Sequence, residues 1–402
     1  MADGKRVLIV GFGLAGMSAA ISLQKAGWEP VIVERAPGRR RGGYFVGFFP
    51  EGKKAAKALG VFDKFHFRTP KGTETWDIRP NGDRLWSPGF LDQPADEEQG
   101  GIEGALRGDL EEGLWQVAKD ICTVRFNTVP CAIDERGDVV NVRLRDIANG
   151  AETTESFNLV IGADGVRSTV RDIVFGPREK FIKPVNSMIC AFEMDAPIPT
   201  LEARDGIMIC EVDRALWVFP LSDKPPTVLL TWRVDDDDSQ FTRRPIDVVR
   251  EVYGDSPHKR MLGAIFDQLE RKGEGEYLYD SVNKVQMDRW HKGRVVMLGD
   301  AAWCLTLYSG MGATSAMKGA VELADAIAAS PGDILRALRD WEAGMRPFIR
   351  KHRIITMMKA EVFVPSSRLR SRLRHQLMRM GTRSLLKRRR NEACSIMSSE
   401  AA

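Results

Sequence analysis

At 402 residues, 43% hydrophobic and 28% charged, the chain is too long for a single small domain and has the composition of a soluble globular protein. No run of about eighteen apolar residues marks a membrane span, and the six cysteines (Cys122, Cys131, Cys190, Cys210, Cys304 and Cys394) include no CxxC pair and no histidine at ligand spacing, so they read as reduced thiols rather than a metal site. The net charge of +4 belongs to the end of the chain: ten Lys or Arg and no acid lie between Pro365 and Arg390, leaving 49 basic against 55 acidic residues elsewhere, a balance that argues against nucleic-acid binding by the body of the protein.

The first 35 residues read as strand, glycine turn, helix and strand: RVLIV, GFGLAG, MSAAISLQKAG closed by Gly27, then VIVE. The chain enters this unit directly from MADGK with no signal-like segment, which predicts a cytoplasmic protein. A Gly-, Pro- and Arg-rich stretch (APGRRRGGYFVGFFPEG) and a short helical pattern (KKAAKALG) follow, then an irregular region from about Phe67 to Gly101 with Trp76 and Trp86 among turn residues. GALRGDLEEGLWQVAKD predicts a helix with Leu106, Leu110, Leu114 and Val117 on one face. The segments VRFNTV and VVNVRLRDI read as strands, and NLVIGA, apolar throughout, as a buried parallel strand. From about Ile182 to Val234, four runs (SMICAFEM, GIMICEV, ALWVFPL, TVLLTWRV) predict an antiparallel sheet, after which RVVMLGDAA returns to the first unit and leads into an Ala-rich helix. The predicted fold is therefore α/β: a parallel-sheet dinucleotide-binding domain built from separated segments, an inserted sheet domain, and a helical C-terminus whose Leu369, Leu373, Leu377 and Met380 form a stripe.

Gly11, Gly13 and Gly16 have GxGxxG spacing. The first permits a tight turn, the second lets backbone approach a pyrophosphate, and the third lets helix and strand pack closely. The following helix N-terminus offers free N–H groups to phosphate oxygens. Glu34 stands at the end of the next strand, eighteen residues past Gly16, where a carboxylate accepts the hydroxyls of an unphosphorylated ribose.

Later segments resemble the single-component (group A) FAD-dependent monooxygenases, the flavoprotein aromatic hydroxylases. LVIGADGVRSTVR is similar to their DG segment, with Asp164, Gly165, Ser168 and Arg171 in the matching places. GRVVMLGDAAWCLTLYSGMGATSAMKGAVELADAI resembles their GD segment through Gly299, Asp300, Ala301, Ala302, Gly310 and Gly312. Arg107 of LRGDL matches the family arginine near the flavin, and WEAGMRP resembles the family's C-terminal signature. These motifs span Gly11 to Pro347 in family order. Within the family, RRGGYFVGFFPEG is similar to a stretch of the shorter tetracycline-degrading and polyketide-hydroxylating members. The resemblance implies an aromatic-hydroxylase-type fold, with FAD-binding segments 1–70, 101–181 and 285–330, substrate-binding segments 71–100 and 182–284, and a helical region 331–402. It yields a candidate cofactor-binding set of Gly11, Gly13, Leu14, Ala15, Gly16, Glu34, Arg35, Arg41, Arg107, Asp164, Asp300, Gly310, Gly312 and Ala313. No residue is assigned as catalytic and none as a metal ligand.

The activity implied is hydroxylation of an aromatic or polyketide-like small molecule. NADPH or NADH reduces FAD, O2 adds at the flavin C4a position, and the hydroperoxide passes one oxygen to the substrate. No second glycine fingerprint is present for the nicotinamide, in keeping with transient binding. The sequence departs from the family at Gly47, where many members carry aspartate, and in the loop after the GD dipeptide, where the family's histidine and prolines give way to Trp303, Thr306 and Leu307. That departure leaves a flavin dehydrogenase or reductase as the rival enzyme reading. A halogenase fits less well, since WVFPL lacks that group's tryptophan-rich motif, and a non-enzymatic binding module would leave Glu34 and Asp300 as relics.

Phe192, Met208, Trp217, Phe219 and Trp232 are candidates for an apolar substrate wall, and Tyr308 is the hydroxyl on the loop facing the flavin. The five histidines (His66, His258, His291, His352 and His375) form no triad or metal pattern and are expected at the surface. The resemblance implies a terminal helix that braces the two domains, with its Leu stripe packed inward and its arginines in solvent. A basic amphipathic helix could instead touch an anionic membrane or a partner.

Overall fold

The computed structural model describes residues 5–39, 43–70, 72–87, 101–199 and 201–380. The chain opens with β1 (Lys5–Val10), α1 (Leu14–Lys25) and β2 (Trp28–Val33), the predicted strand, helix and strand. β3 (Phe45–Phe48) and α2 (Pro50–Leu59) follow, then a hairpin of β4 (Thr75–Ile78) and β5 (Arg84–Ser87). This hairpin lies where the sequence reads as irregular, and it aligns Trp76 opposite Trp86. β6 (Glu103–Leu106) runs directly into α3 (Arg107–Ala118). Leu106 therefore ends a strand rather than starting a helical stripe, and the Asp109 carboxylate accepts its backbone N–H at 3.2 Å.

β7 (Thr123–Arg125) and β8 (Thr128–Arg136) divide the VRFNTV segment at Asn127, whose φ of 53° turns the chain. β9 (Val139–Asp146), β10 (Glu152–Phe157), β11 (Leu159–Gly162) and α4 (Thr169–Val174) complete the first half. β12 (Ile182–Glu193), β13 (Gly206–Glu211), β14 (Arg214–Phe219) and β15 (Thr227–Arg233) are the four expected strands, followed by α5 (Pro245–Val252), α6 (Lys259–Glu270) and β16 (Tyr277–Val285). The chain then returns through β17 (His291–Lys292), β18 (Val295–Met297), α7 (Asp300–Trp303), α8 (Gly312–Ala329) and α9 (Ile334–Phe363), and ends with α10 at 368–380.

Two large sheets organise these elements. The first has the order β17-β18-β11-β1-β2-β7, parallel except for the β17 edge, and buries Val7, Leu8, Ile9, Leu159, Val160 and Val296 completely or nearly so. Such all-round burial explains why these strands read as unbroken apolar runs. The second sheet has the order β16-β12-β15-β14-β13-β4-β5, antiparallel except where β13 meets β4. Successive side chains of its strands go to two opposite faces, and because both faces are largely covered the strands carry consecutive buried residues. One face forms a core with α5 and α6 that includes Phe192, Trp232, Ile246, Val249, Ile265 and Phe266.

The C-terminal segments overturn one expectation. Leu369, Leu373, Leu377 and Met380 point outward, between 50% and 68% exposed, whereas Arg374 is buried. Its Nη1 pairs with Asp77 of β4 at 2.9 Å, and its Nε donates to the Val362 carbonyl at 2.8 Å. Turning Arg374 outward would leave the Asp77 carboxylate buried without its counter-charge, so the guanidinium and not the leucines takes the inner face. The histidines also differ from expectation. Only His66 is exposed, while His258, His291, His352 and His375 are partly buried.

Candidate functional site

A cavity of about 830 Å³ lies between the parallel sheet and the antiparallel sheet. A second chamber of about 240 Å³ extends from it along the C-terminal ends of β1 and β2. Gly13, Arg107, Ala163 and Gly165 line both, so the two form one elongated groove.

The glycine loop shapes the junction. Gly11 adopts φ of +108°, and a Cβ there would stand 2.4 Å from the Ala163 carbonyl oxygen. A Cβ on Gly16 would stand 2.0 Å from the Gly11 oxygen, so only glycine lets α1 approach β1 this closely. At Gly13 the space is open, with the nearest atom 4.0 Å away on Arg107, which leaves backbone accessible from the groove. Leu14 and Ala15 line the larger chamber beside it, while Gly16 is buried in the helix contact.

Glu34 and Arg35 line the smaller chamber. One Glu34 oxygen accepts the Phe12 N–H at 2.9 Å and the other the Ala36 N–H at 2.9 Å, fixing the carboxylate at the chamber wall. Each oxygen retains a further lone pair for a hydroxyl donor. Arg39, Val129 and Pro130 line the same chamber although nothing local in the sequence marks them; β7 alongside β2 brings the 129–130 segment there. Arg41 lies outside the described residues.

Asp164 lines the smaller chamber too, but its carboxylate is engaged. It accepts from the Ser168 hydroxyl and from the Thr169 and Val170 N–H groups at 2.5, 2.7 and 3.1 Å, holding the start of α4. Burial raises its carboxyl above the ordinary range, and these hydrogen bonds act against that rise.

Arg107 and Asp300 face each other electrostatically across the larger chamber. Arg107 Nη2 pairs with Glu111 at 2.9 Å, one turn along α3. Desolvation raises the Asp300 carboxyl above its usual value, and the Arg107 charge works in the opposite sense. Tyr44, pushed up by burial and restrained by Arg107, completes this cluster. Gly310, Gly312 and Ala313 line the same chamber at the N-terminus of α8, an eighteen-residue helix whose dipole favours negative charge there.

The loop after Asp300 is not a uniform lid. Trp303 points away from the cavity into the core, where its ring lies 4.6 Å from Trp290 and 6.0 Å from Trp341, and its Nε1 donates to Ser315 at 3.2 Å. Cys304, Thr306, Leu307 and Tyr308 line the cavity instead. Thr306 adopts φ of 65°, which a proline ring forbids, so the chain here follows a path the family's proline could not take. Its Oγ1 is buried without a partner among the described residues. Tyr308 turns its hydroxyl to Thr231 at 2.9 Å, committing that group to the sheet.

Of the expected substrate wall, Met208, Trp217 and Phe219 line the cavity, and Phe45 stacks on Phe219 with ring centroids 4.3 Å apart. Phe192 and Trp232 do not; the two-residue period of β12 and β15 sends them to the opposite core. Ile189, Ala191 and Leu229 stand on the cavity side in their place.

A two-part groove with a glycine loop and acidic strand end in one part and an apolar sheet over the other defines a dinucleotide-binding flavoprotein. The family description FAD binding domain matches residues 5–332. A FAD-dependent monooxygenase, asL4 of Sarocladium schorii, is 30% identical over 337 residues, covering 80% of this chain and 75% of the relative. In fold the chain is similar to the tetracycline destructase Tet(51), with a TM-score of 0.74, 22% identity and coverage of 94% and 96%. It is similar also to Klebsiella pneumoniae HpxO complexed with FAD and uric acid, with a TM-score of 0.74, 18% identity and coverage of 94% and 93%. The chain belongs to the single-component FAD-dependent monooxygenases of the FAD binding domain family. It is an enzyme that uses FAD to insert oxygen into a small molecule.

Proposed function

We propose that this monooxygenase hydroxylates a flat, largely apolar aromatic or polyketide-like molecule held between the flavin and the antiparallel sheet. The observation that carries the reading is the continuity of the groove through Gly13 and Arg107. A narrow chamber with a carboxylate and a glycine loop suits the adenosine and pyrophosphate, and a wide one walled by Met208, Trp217 and Phe219 leaves room for an isoalloxazine and a second ring system. Tetracycline and uric acid, named with the structural relatives, are both ring compounds with several polar groups.

The residues present fit FAD. Gly11, Gly13, Leu14 and Ala15 would hold the pyrophosphate, with Gly16 letting α1 close on β1 behind them, Glu34 the adenosine ribose with Arg35 at its edge, and Arg107 and Asp300 the remaining phosphate and ribitol. Gly310, Gly312 and Ala313 would offer backbone to the flavin ring, where the α8 dipole would favour negative charge. Asp164 would act through the turn it holds. When bound and reduced by NADPH or NADH, FAD would supply the oxygen-activating chemistry, with one atom of O2 passing to the substrate and the other leaving as water. The protein's part is to orient the substrate against Trp217 and Phe219, exclude water through the Phe45–Phe219 stack, and keep Tyr308 neutral, its phenol raised by burial. The free thiols of the described cysteines suit a cytoplasmic setting.

The test is the absorption spectrum of the purified protein, followed by NAD(P)H consumption in air with and without polyphenolic substrates and by ¹⁸O2 labelling. Faster consumption with substrate and one labelled oxygen in the product are expected. A flavin that is reduced, with hydride passed to an acceptor and no labelled product from any ring compound, would overturn the hydroxylase reading.

A further inference from the structure

We propose that the outward face of α10 is a peripheral docking surface for an anionic lipid membrane. Leu369, Leu373, Leu377 and Met380 recur at spacings of 4, 4 and 3, which puts them on one side of the helix, and all four are at least half exposed. Single exposed leucines are ordinary, but a stripe of about 16 Å along three turns is not.

The helix cannot hide this stripe by rolling. Arg374, about 100° round the helix from the stripe, is held by Asp77, both side chains being 2% exposed or less, and by the Val362 carbonyl. Ser371, His375 and Met378 share that inner side and are partly covered. The outward direction of the leucines is thus set by a buried ion pair between α10 and the edge of the antiparallel sheet.

Charge selects the occupant. Arg368, Arg372 and Arg379 flank the stripe and make no ion pair among the described residues, while Arg370 pairs with Glu361 at 2.6 Å. No acid occurs from Pro365 to Arg390, and Arg383, Lys387, Arg388, Arg389 and Arg390 follow in the sequence. Arginine stems can lie along an acyl boundary with their heads among lipid phosphates. A second copy of the same face would bring two cationic stripes together, which disfavours self-association. The rest of the chain is net acidic and would be repelled by the same surface, so α10 meets it first. No helix among the described residues is long and apolar enough to cross a membrane, so the attachment is to one face only.

The experiment is co-sedimentation of the full-length, FAD-loaded protein with phosphatidylcholine vesicles, with or without phosphatidylserine. Binding should be about tenfold or more stronger with phosphatidylserine, and weaker at about 1 M salt, where the screening length falls to about 3 Å. Leu373→Ser with Leu377→Ser should lower it about tenfold or more, with flavin content unchanged, whereas Ile147→Ser, another exposed apolar site, should not. Arg368→Gln with Arg372→Gln and Arg379→Gln gives a second variant set that leaves the leucines in place and should weaken the phosphatidylserine preference. Equal pelleting with both vesicle types, no pelleting, or a dimer in light scattering that the double leucine variant dissociates would each overturn the proposal.

Discussion

The Arg171 side chain donates from Nη1 to the Ala301 carbonyl at 2.9 Å, joining two segments 130 residues apart in the chain. The same guanidinium reaches the Val166 carbonyl, so one fully buried residue ties the turn after β11 to the turn after β18. Those turns carry Asp164 and Asp300, and their mutual position depends on this link. Arg171→Met should destabilise the protein by about 2 to 4 kcal/mol, because a buried and a partly buried carbonyl lose their charged donor. Thermal denaturation of the wild type and variant with saturating FAD measures the loss, and an unchanged midpoint would refute the structural role.

Arg107→Ala and Asp300→Ala test the cofactor geometry. Each should weaken FAD binding by about 1.5 to 3 kcal/mol, as expected for loss of a charged hydrogen bond. Flavin fluorescence titration into the apoprotein reads this directly. Full flavin occupancy in both variants at limiting FAD would defeat the assignment.

The two faces of the antiparallel sheet should respond differently. Trp217→Ala, on the cavity side, should raise KM for substrate while the protein keeps its flavin. Trp232→Ala, in the core with α5 and α6, should instead cost about 3 to 5 kcal/mol of stability. Steady-state kinetics and chemical denaturation separate the outcomes, and a reversed pattern would mean that the faces have been misassigned.

At Thr306 the left-handed backbone is strained for a β-branched residue. Thr306→Gly should raise stability by about 1 kcal/mol or slightly more, and Thr306→Pro should lower it, since the ring cannot reach this φ. Differential scanning calorimetry of the two variants gives the sign of each change.

His258, His291 and His352 all have imidazole pKa values lowered from 6.5, with burial the largest cause. The unfolded chain therefore binds more protons than the folded one once the pH falls through about 6.5. Stability should be at its full value above that pH and decline as the pH drops toward the folded-state values. Melting temperatures from about pH 7.5 to about pH 5.5 should show the decline, and His291→Gln should make it shallower. A slope unchanged in His291→Gln would remove that residue from the account.

The segments of the groove proposed to hold the cofactor are legible because each is made from residues adjacent in the sequence. Gly11 to Gly16, Glu34, and the segment from Asp300 to Ala313 each declare their geometry through local spacing. The substrate half depends on which alternate residues of β12 to β15 look inward, and a sheet covered on both faces by apolar groups gives the sequence no contrast to read. Phe192 and Trp232 were therefore indistinguishable from Met208 and Trp217. Trp303 sits in the loop motif where the resemblance places a histidine near the flavin, yet its size and apolarity fit the core pocket beside Gly319. α5 and α6 were missed even though Ile246 and Val249, and Leu262, Ile265, Phe266 and Leu269, carry helical spacing. The inward turn of Arg374 was unreadable, since its partner Asp77 stands 297 residues away.

The packing of Trp303 against Trp290 and Trp341 gives the molecule its own optical gauge. Three indoles in mutual contact emit together, and the loop carrying Trp303 continues through Cys304 into the wall of the larger chamber. Flavin absorbs where tryptophan emits, so a cofactor in that chamber drains the excited state of the cluster. Filling and emptying of the enzyme should be visible in ultraviolet-excited emission alone, without a label, a substrate or a turnover.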